Sequence, residues 1–186
     1  MKRIISYLTI CAAIVFTSAC EEDSLELFGD QNYIHFTQES SKDYRFTFAS
    51  IPGQDSYELK IPVTLIGKSL TEAKEYKVEV VNNGNEGDVV TTVSSSSYAL
   101  PAKPLFRKGE FTDTLKVQLK NNSELDQEKV LVLRIAENEN FKIGPVGYRE
   151  AKIYLSNYLV QPEWWDDEMS DVFLGPYSEI KYQNFI

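Results

Sequence analysis

The chain of 186 residues carries 28 acidic against 19 basic side chains, a formal net charge of −9, with one histidine and two cysteines. So acidic a surface repels phosphate backbones and anionic headgroups, which excludes nucleic-acid binding and membrane attachment through a basic patch. The lone histidine, His35, sits in a strand-like run with Tyr33, Ile34 and Phe36 and reads as structural; zinc sites of the usual His and Cys type are left without ligands, and a histidine triad could be built only on His35.

In chain order, the first element is a leader. Lys2 and Arg3 precede an uncharged apolar run from Ile4 to Phe16, and the small residues Thr17, Ser18 and Ala19 stand against Cys20. A charged start, an apolar stretch of about 7 to 15 residues and a small-residue cleavage site make a secretory signal. Two alternatives remain. A membrane-spanning anchor needs about 20 apolar residues, more than this run supplies. Ordinary cleavage after Ala19 leaves Cys20 as an exposed, reactive thiol.

The segment ending in Cys20 resembles a bacterial lipobox, departing from it at Thr17, where leucine is usual. The resemblance implies that residues 1–19 are removed as a signal peptide and that Cys20 is acylated, anchoring the protein in the outer membrane. Glu21, Glu22 and Asp23 resemble the acidic export signal of Bacteroidota surface lipoproteins; apart from that likeness, three acids in a row are a solvated tether. Residues 20–30 form this tether. Cys11 leaves with the leader, so no intrachain disulfide is possible in the mature chain. Lys2 and Arg3 leave too, so 17 of the 19 bases face all 28 acids.

The body, residues 31–159, is predicted to be built of strands. Tyr57, Leu59, Ile61, Val63 and Leu65 alternate with Glu58, Lys60, Pro62 and Thr64, a period of two that makes a half-buried strand. Pro62 lacks a ladder donor and points to an edge strand or a bulge. Shorter runs lie at Tyr33 to Thr37, Tyr44 to Ala49, Tyr76 to Val81, Thr112 to Leu119, Val130 to Ala136 and Ala151 to Leu155, separated by turn formers such as Pro52-Gly53 and Gly144-Pro145. Ser94 to Ser97 reads as a flexible approach to Tyr98. Short strands between turns, with no long helical period, predict an all-β fold: an immunoglobulin-like sandwich of two antiparallel sheets, with a closed barrel as the rival.

From Val160 the composition changes, and residues 160–186 are expected to pack on the sandwich as a C-terminal extension. Its notable cluster is Trp164, Trp165, Asp166, Asp167 and Glu168. An indole face stacks on a sugar ring while carboxylates accept hydrogen bonds from its hydroxyls, so Trp164, Trp165, Asp166 and Asp167 are candidate ligand-binding residues. The competing reading is that the rings anchor the extension. Adjacent side chains of an extended stretch point opposite ways, which lets one ring dock while the other stays open. The three acids also suit a first helical turn.

Tyr33-Ile34-His35-Phe36, the strand ending Leu65-Ile66-Gly67, Tyr98-Ala99-Leu100-Pro101, Leu131-Val132-Leu133-Arg134, Pro162-Glu163-Trp164-Trp165 and Leu174-Gly175-Pro176-Tyr177 together resemble one family. It is a set of Bacteroidota surface lipoproteins that carry a domain of unknown function and are often encoded beside SusC/SusD-type uptake systems. Lys108-Gly109-Glu110 with Thr114 to Val117 is similar to part of a Calx-beta domain, but Asn121 and Asn122 stand where its calcium-binding carboxylates are wanted, so no metal or other cofactor is expected. The resemblance implies an outer-membrane lipoprotein with a β-sandwich and no assigned activity. The protein is expected to be a non-enzymatic accessory or ligand-binding component of a glycan uptake system, with a SusC/SusD-type transporter or a glycan as partner. The alternative is a structural or adhesive lipoprotein acting only through protein contacts. A glycosidase would need paired carboxylates in a substrate-sized cleft, which scattered acids do not predict.

Overall fold

The computed structural model of the protein describes residues 31–185; Cys20, Glu21, Glu22 and Asp23 lie outside them. Eleven strands form the body: β1 (Tyr33–Phe36), β2 (Tyr44–Thr47), β3 (Ser56–Ile66), β4 (Lys74–Glu75), β5 (Lys77–Val80), β6 (Tyr98–Ala99), β7 (Leu105–Phe106), β8 (Thr112–Lys120), β9 (Lys129–Ala136), β10 (Lys142–Ile143) and β11 (Glu150–Ser156). One sheet has the order β10-β1-β3-β8-β6 and the other β2-β11-β9-β5, while β4 and β7 pair separately. The protein is therefore a two-sheet sandwich. No helix among the described residues is long and apolar enough to cross a membrane.

Alternation builds the core. Ile61, Val63 and Leu65 of β3 and Leu115, Val117 and Leu119 of β8 face inward from one sheet, and meet Leu131, Leu133, Ile153 and Leu155 from the other. Each such side chain contributes about 1.5–3 kcal/mol when removed from water. Strand β9 is buried on both faces: Val130 and Val132 turn away from the core and pack with Val81 and Tyr154. Most pairings are antiparallel, but each sheet also has an edge strand joined in parallel, β10 to β1 and β2 to β11.

Pro62 corrects the expectation drawn from it, because β3 is a central strand, flanked by β1 and β8. In an antiparallel strand a residue's N–H and C=O point to the same neighbour. The Pro62 carbonyl accepts from Thr37 N–H at 2.9 Å, so its donorless nitrogen faces the place where β1 has already ended. The ladder to β8 uses alternate residues, as in Leu65 N–H to the Phe111 carbonyl, and loses nothing.

The serine run is likewise corrected. Ser97 is fully buried, and its hydroxyl and that of Ser94 both donate to Glu124, which also accepts the Ser94 N–H. A run that looks like slack chain is thus pinned at both ends, through Ser94 and Ser97, to one carboxylate on the three-ten turn Ser123–Asp126.

Candidate functional site

The extension docks through a turn. Trp165 N–H donates to the Pro162 carbonyl at 2.9 Å, and the chain between them reverses instead of running extended. Trp164 and Trp165 therefore share one side and stack, with centroids 5.6 Å apart and planes at 28°. The expected alternation of the two rings fails because it presumed an extended backbone. Their exposures still differ sharply, at 43% for Trp164 and 2% for Trp165.

Trp165 is held on every side. Its indole N–H donates to the Gly175 carbonyl at 3.2 Å, and Tyr177 and Tyr182 meet its ring edge-on at 5.4 and 6.2 Å. Gly175 closes the π-helical turn Met169–Leu174 with φ of +74°, a conformation glycine adopts without a steric penalty. The Tyr177 hydroxyl donates to the Leu159 carbonyl at 2.9 Å. Helix α1 (Glu179–Gln183) is capped by the Ser178 hydroxyl, and Gln183 donates to the Ala49 carbonyl at 2.8 Å, tying the helix to the sandwich.

The acids beside the rings divide. Asp166 Oδ1 accepts Met169 N–H at 2.9 Å and so caps the turn that follows. Asp167 and Glu168 are exposed next to it. Of the four candidate residues, Trp164 and Asp167 are open to a ligand, while Trp165 and Asp166 support the platform.

Beside the platform lies a groove of about 490 Å³ that no sequence pattern had indicated. It is lined by Arg45 of β2, by Tyr154 and Ser156 of β11, by Glu128 and Tyr158, and by Tyr182 of α1. The Arg45 guanidinium lies 4.5 Å above the Tyr154 ring, 2.9 Å from Glu128 and 3.7 Å from Asp43. Tyr182 also lies 6.0 Å from Trp164, so the groove and the exposed indole share a ring.

A second, polar cleft of about 610 Å³ surrounds Glu124, with Asp55, Lys120 and Asn121 on its walls. Burial pushes the Glu124 carboxyl up, but hydrogen bonds from Ser94, Ser97 and Asn122 outweigh it and hold the group below its ordinary value. Among the described residues, no three His, Cys, Asp or Glu side chains gather as a metal site. His35 meets the carbonyl of Phe36 at 2.7 Å through Nδ1 and Tyr148 edge-to-face at 5.4 Å. A carbonyl only accepts, so Nδ1 carries the proton and the ring is fixed as a strand side chain.

Comparison with known proteins places this arrangement. The chain belongs to the family described as Domain of unknown function (DUF4843), which matches residues 28–186. No curated protein matches it. Among solved structures it is similar to a Bacteroides ovatus protein of unknown function, at 17% identity and a TM-score of 0.50, over 67% of this chain and 44% of that one. A Bacteroides ovatus protein inferred to bind carbohydrate matches at 16% identity and a TM-score of 0.49, over 68% of this chain and 37% of that one. The apo form of the Calx CBD1 domain matches at 12% identity and a TM-score of 0.44, over 68% of this chain and 99% of that one. The chain thus matches less than half the length of either Bacteroides protein, and the likeness is one of fold.

Proposed function

We propose that the protein is a non-catalytic, acyl-anchored lipoprotein of the cell surface that binds a glycan as an accessory component of a nutrient-uptake system. The observation that carries the binding is Trp164: a large indole, 43% exposed, stacked on a buried partner and flanked by the exposed carboxylates Asp167 and Glu168. A ring held in place by Trp165 loses little freedom when a sugar stacks on it, and nearby carboxylates accept hydrogen bonds from its hydroxyls. The anchor rests on the leader and Cys20. Glycan-array binding that disappears in Trp164→Ala, with unchanged melting, supports the reading; equal binding by the variant overturns it. Mass spectrometry of the native protein tests the anchor, which falls if Cys20 carries no fatty acid.

A reading through protein contacts alone is favoured by a different observation. Val172, Phe173, Ile180 and Phe185 of the extension are all strongly exposed, four large apolar side chains within a short segment that a protein partner could cover. Co-purification with an outer-membrane transporter that survives Trp164→Ala but not Phe173→Asp supports that role.

A further inference from the structure

We infer that the groove between β2, β11 and α1 is a subsite for a neutral saccharide, in which Tyr158 and Tyr182 contact sugar rings and the Arg45–Glu128 pair engages hydroxyls. The assignment rests on Trp164 being a glycan platform and extends that platform into a cleft, because Tyr182 belongs to both.

The chemistry of the walls selects the ligand. A sugar presents C–H faces to aromatic rings and hydroxyls that both donate and accept, so its site needs rings together with fixed donors and fixed acceptors. This groove has both: Tyr158 and Tyr182 as rings, the Arg45 guanidinium, seated on Tyr154, as donor and Glu128 as acceptor. The larger cleft at Glu124 has no aromatic wall. The guanidinium is also set before any ligand arrives, held over Tyr154 at 4.5 Å and by Glu128 at 2.9 Å. A donor already fixed in place spares the ligand the entropy of ordering it.

Charge narrows the class. One guanidinium faces two carboxylates, Asp43 at 3.7 Å and Glu128 at 2.9 Å, so the groove offers an anion no net positive charge. The Glu128 carboxylate is already paired with that guanidinium, which lowers what it offers a cation. A neutral polyol satisfies both groups without breaking their pairing. The volume of about 490 Å³ is that of a small-ligand site.

The test uses full-length acylated protein in detergent, with immobilised starch, xylan, galactomannan and, as the anionic probe, polygalacturonate. At least one neutral polysaccharide is expected to be retained. Glu128→Gln, on an exposed side chain, should weaken that binding roughly tenfold through loss of a charged hydrogen-bond acceptor. Ser156→Trp should fill the groove and abolish binding, with thermal melting as the control for folding. Binding removed by Trp164→Ala but untouched by Glu128→Gln and Ser156→Trp overturns the groove and leaves the platform standing. Binding removed by the groove variants but not by Trp164→Ala supports the groove and overturns the platform. Preference for polygalacturonate overturns the neutral assignment, and retention of no polysaccharide overturns both readings.

Discussion

The sandwich body and the C-terminal extension are held together differently. The body shares its stability among many aliphatic side chains from both sheets, and no residue beyond Leu155 belongs to that central cluster. The extension has one buried side chain after Leu159, Trp165, gripped by two tyrosine edges and a hydrogen bond to Gly175. A distributed core tolerates local loss, whereas a segment held by one buried ring and a few hydrogen bonds, such as Gln183 to the Ala49 carbonyl and Tyr177 to the Leu159 carbonyl, loses most of its support with that ring. The segment that presents Trp164 and lines the groove with Tyr182 is thus the part that can detach while the body stays folded.

The sharpest way to break this contrast is Trp165→Ala. Losing a buried ring of this size costs about 3–5 kcal/mol, and that cost should fall on the extension alone. Limited proteolysis is expected to cut within residues 160–185 while the urea midpoint of the body moves little; simultaneous loss of both would show that the two regions form one cooperative unit. Leu133→Ala is the converse, a cavity of about 2–5 kcal/mol in the central cluster that should lower the urea midpoint of the whole protein.

Glu124→Ala comes next, at about 1–3 kcal/mol, because Ser97 is fully buried and would lose its acceptor. The Glu124 carboxyl is held below its ordinary value in the folded state, so its contribution is present above the unfolded value and fades as pH falls through the folded one. Acid titration of the urea midpoint should show that fall in the native protein and less of it in the variant. Smallest is Trp164→Ala: a change at a side chain this exposed should alter stability by no more than about 0.5 kcal/mol. Glycan binding should nonetheless vanish, separating recognition from support within a stacked pair.

What the chain announces beforehand follows the length of its patterns. Strand β3 shows five apolar residues in strict alternation, and the seven longer strands all fall on the predicted runs. Strand β9, apolar in succession from Val130 to Leu133, nonetheless lacks that period because both its faces are buried. Strands β4, β6, β7 and β10 have two residues each, too few for any period to register. Pro62 misleads because a missing donor matters only on the side where a neighbour continues, and that side is set by where β1 stops. The tryptophan pair was visible as a cluster, but its geometry depends on the Pro162 turn. The groove was invisible, since Arg45, Glu128, Tyr154 and Tyr182 come from four distant stretches that only the parallel pairing of β2 with β11 and the docking of α1 bring together.

That topology also governs how the molecule is assembled. The two central strands of one sheet, β9 and β11, come last among the long strands, and Glu150 N–H reaches back 110 residues to the Ser40 hydroxyl. A polypeptide emerging amino end first can pair β5 with β9 once Ala136 has appeared, but it cannot join β2 to that pair until β11 is complete at Ser156. Closure of the second sheet therefore waits for the end of the body, with the loop-closure cost of a contact spanning 110 residues.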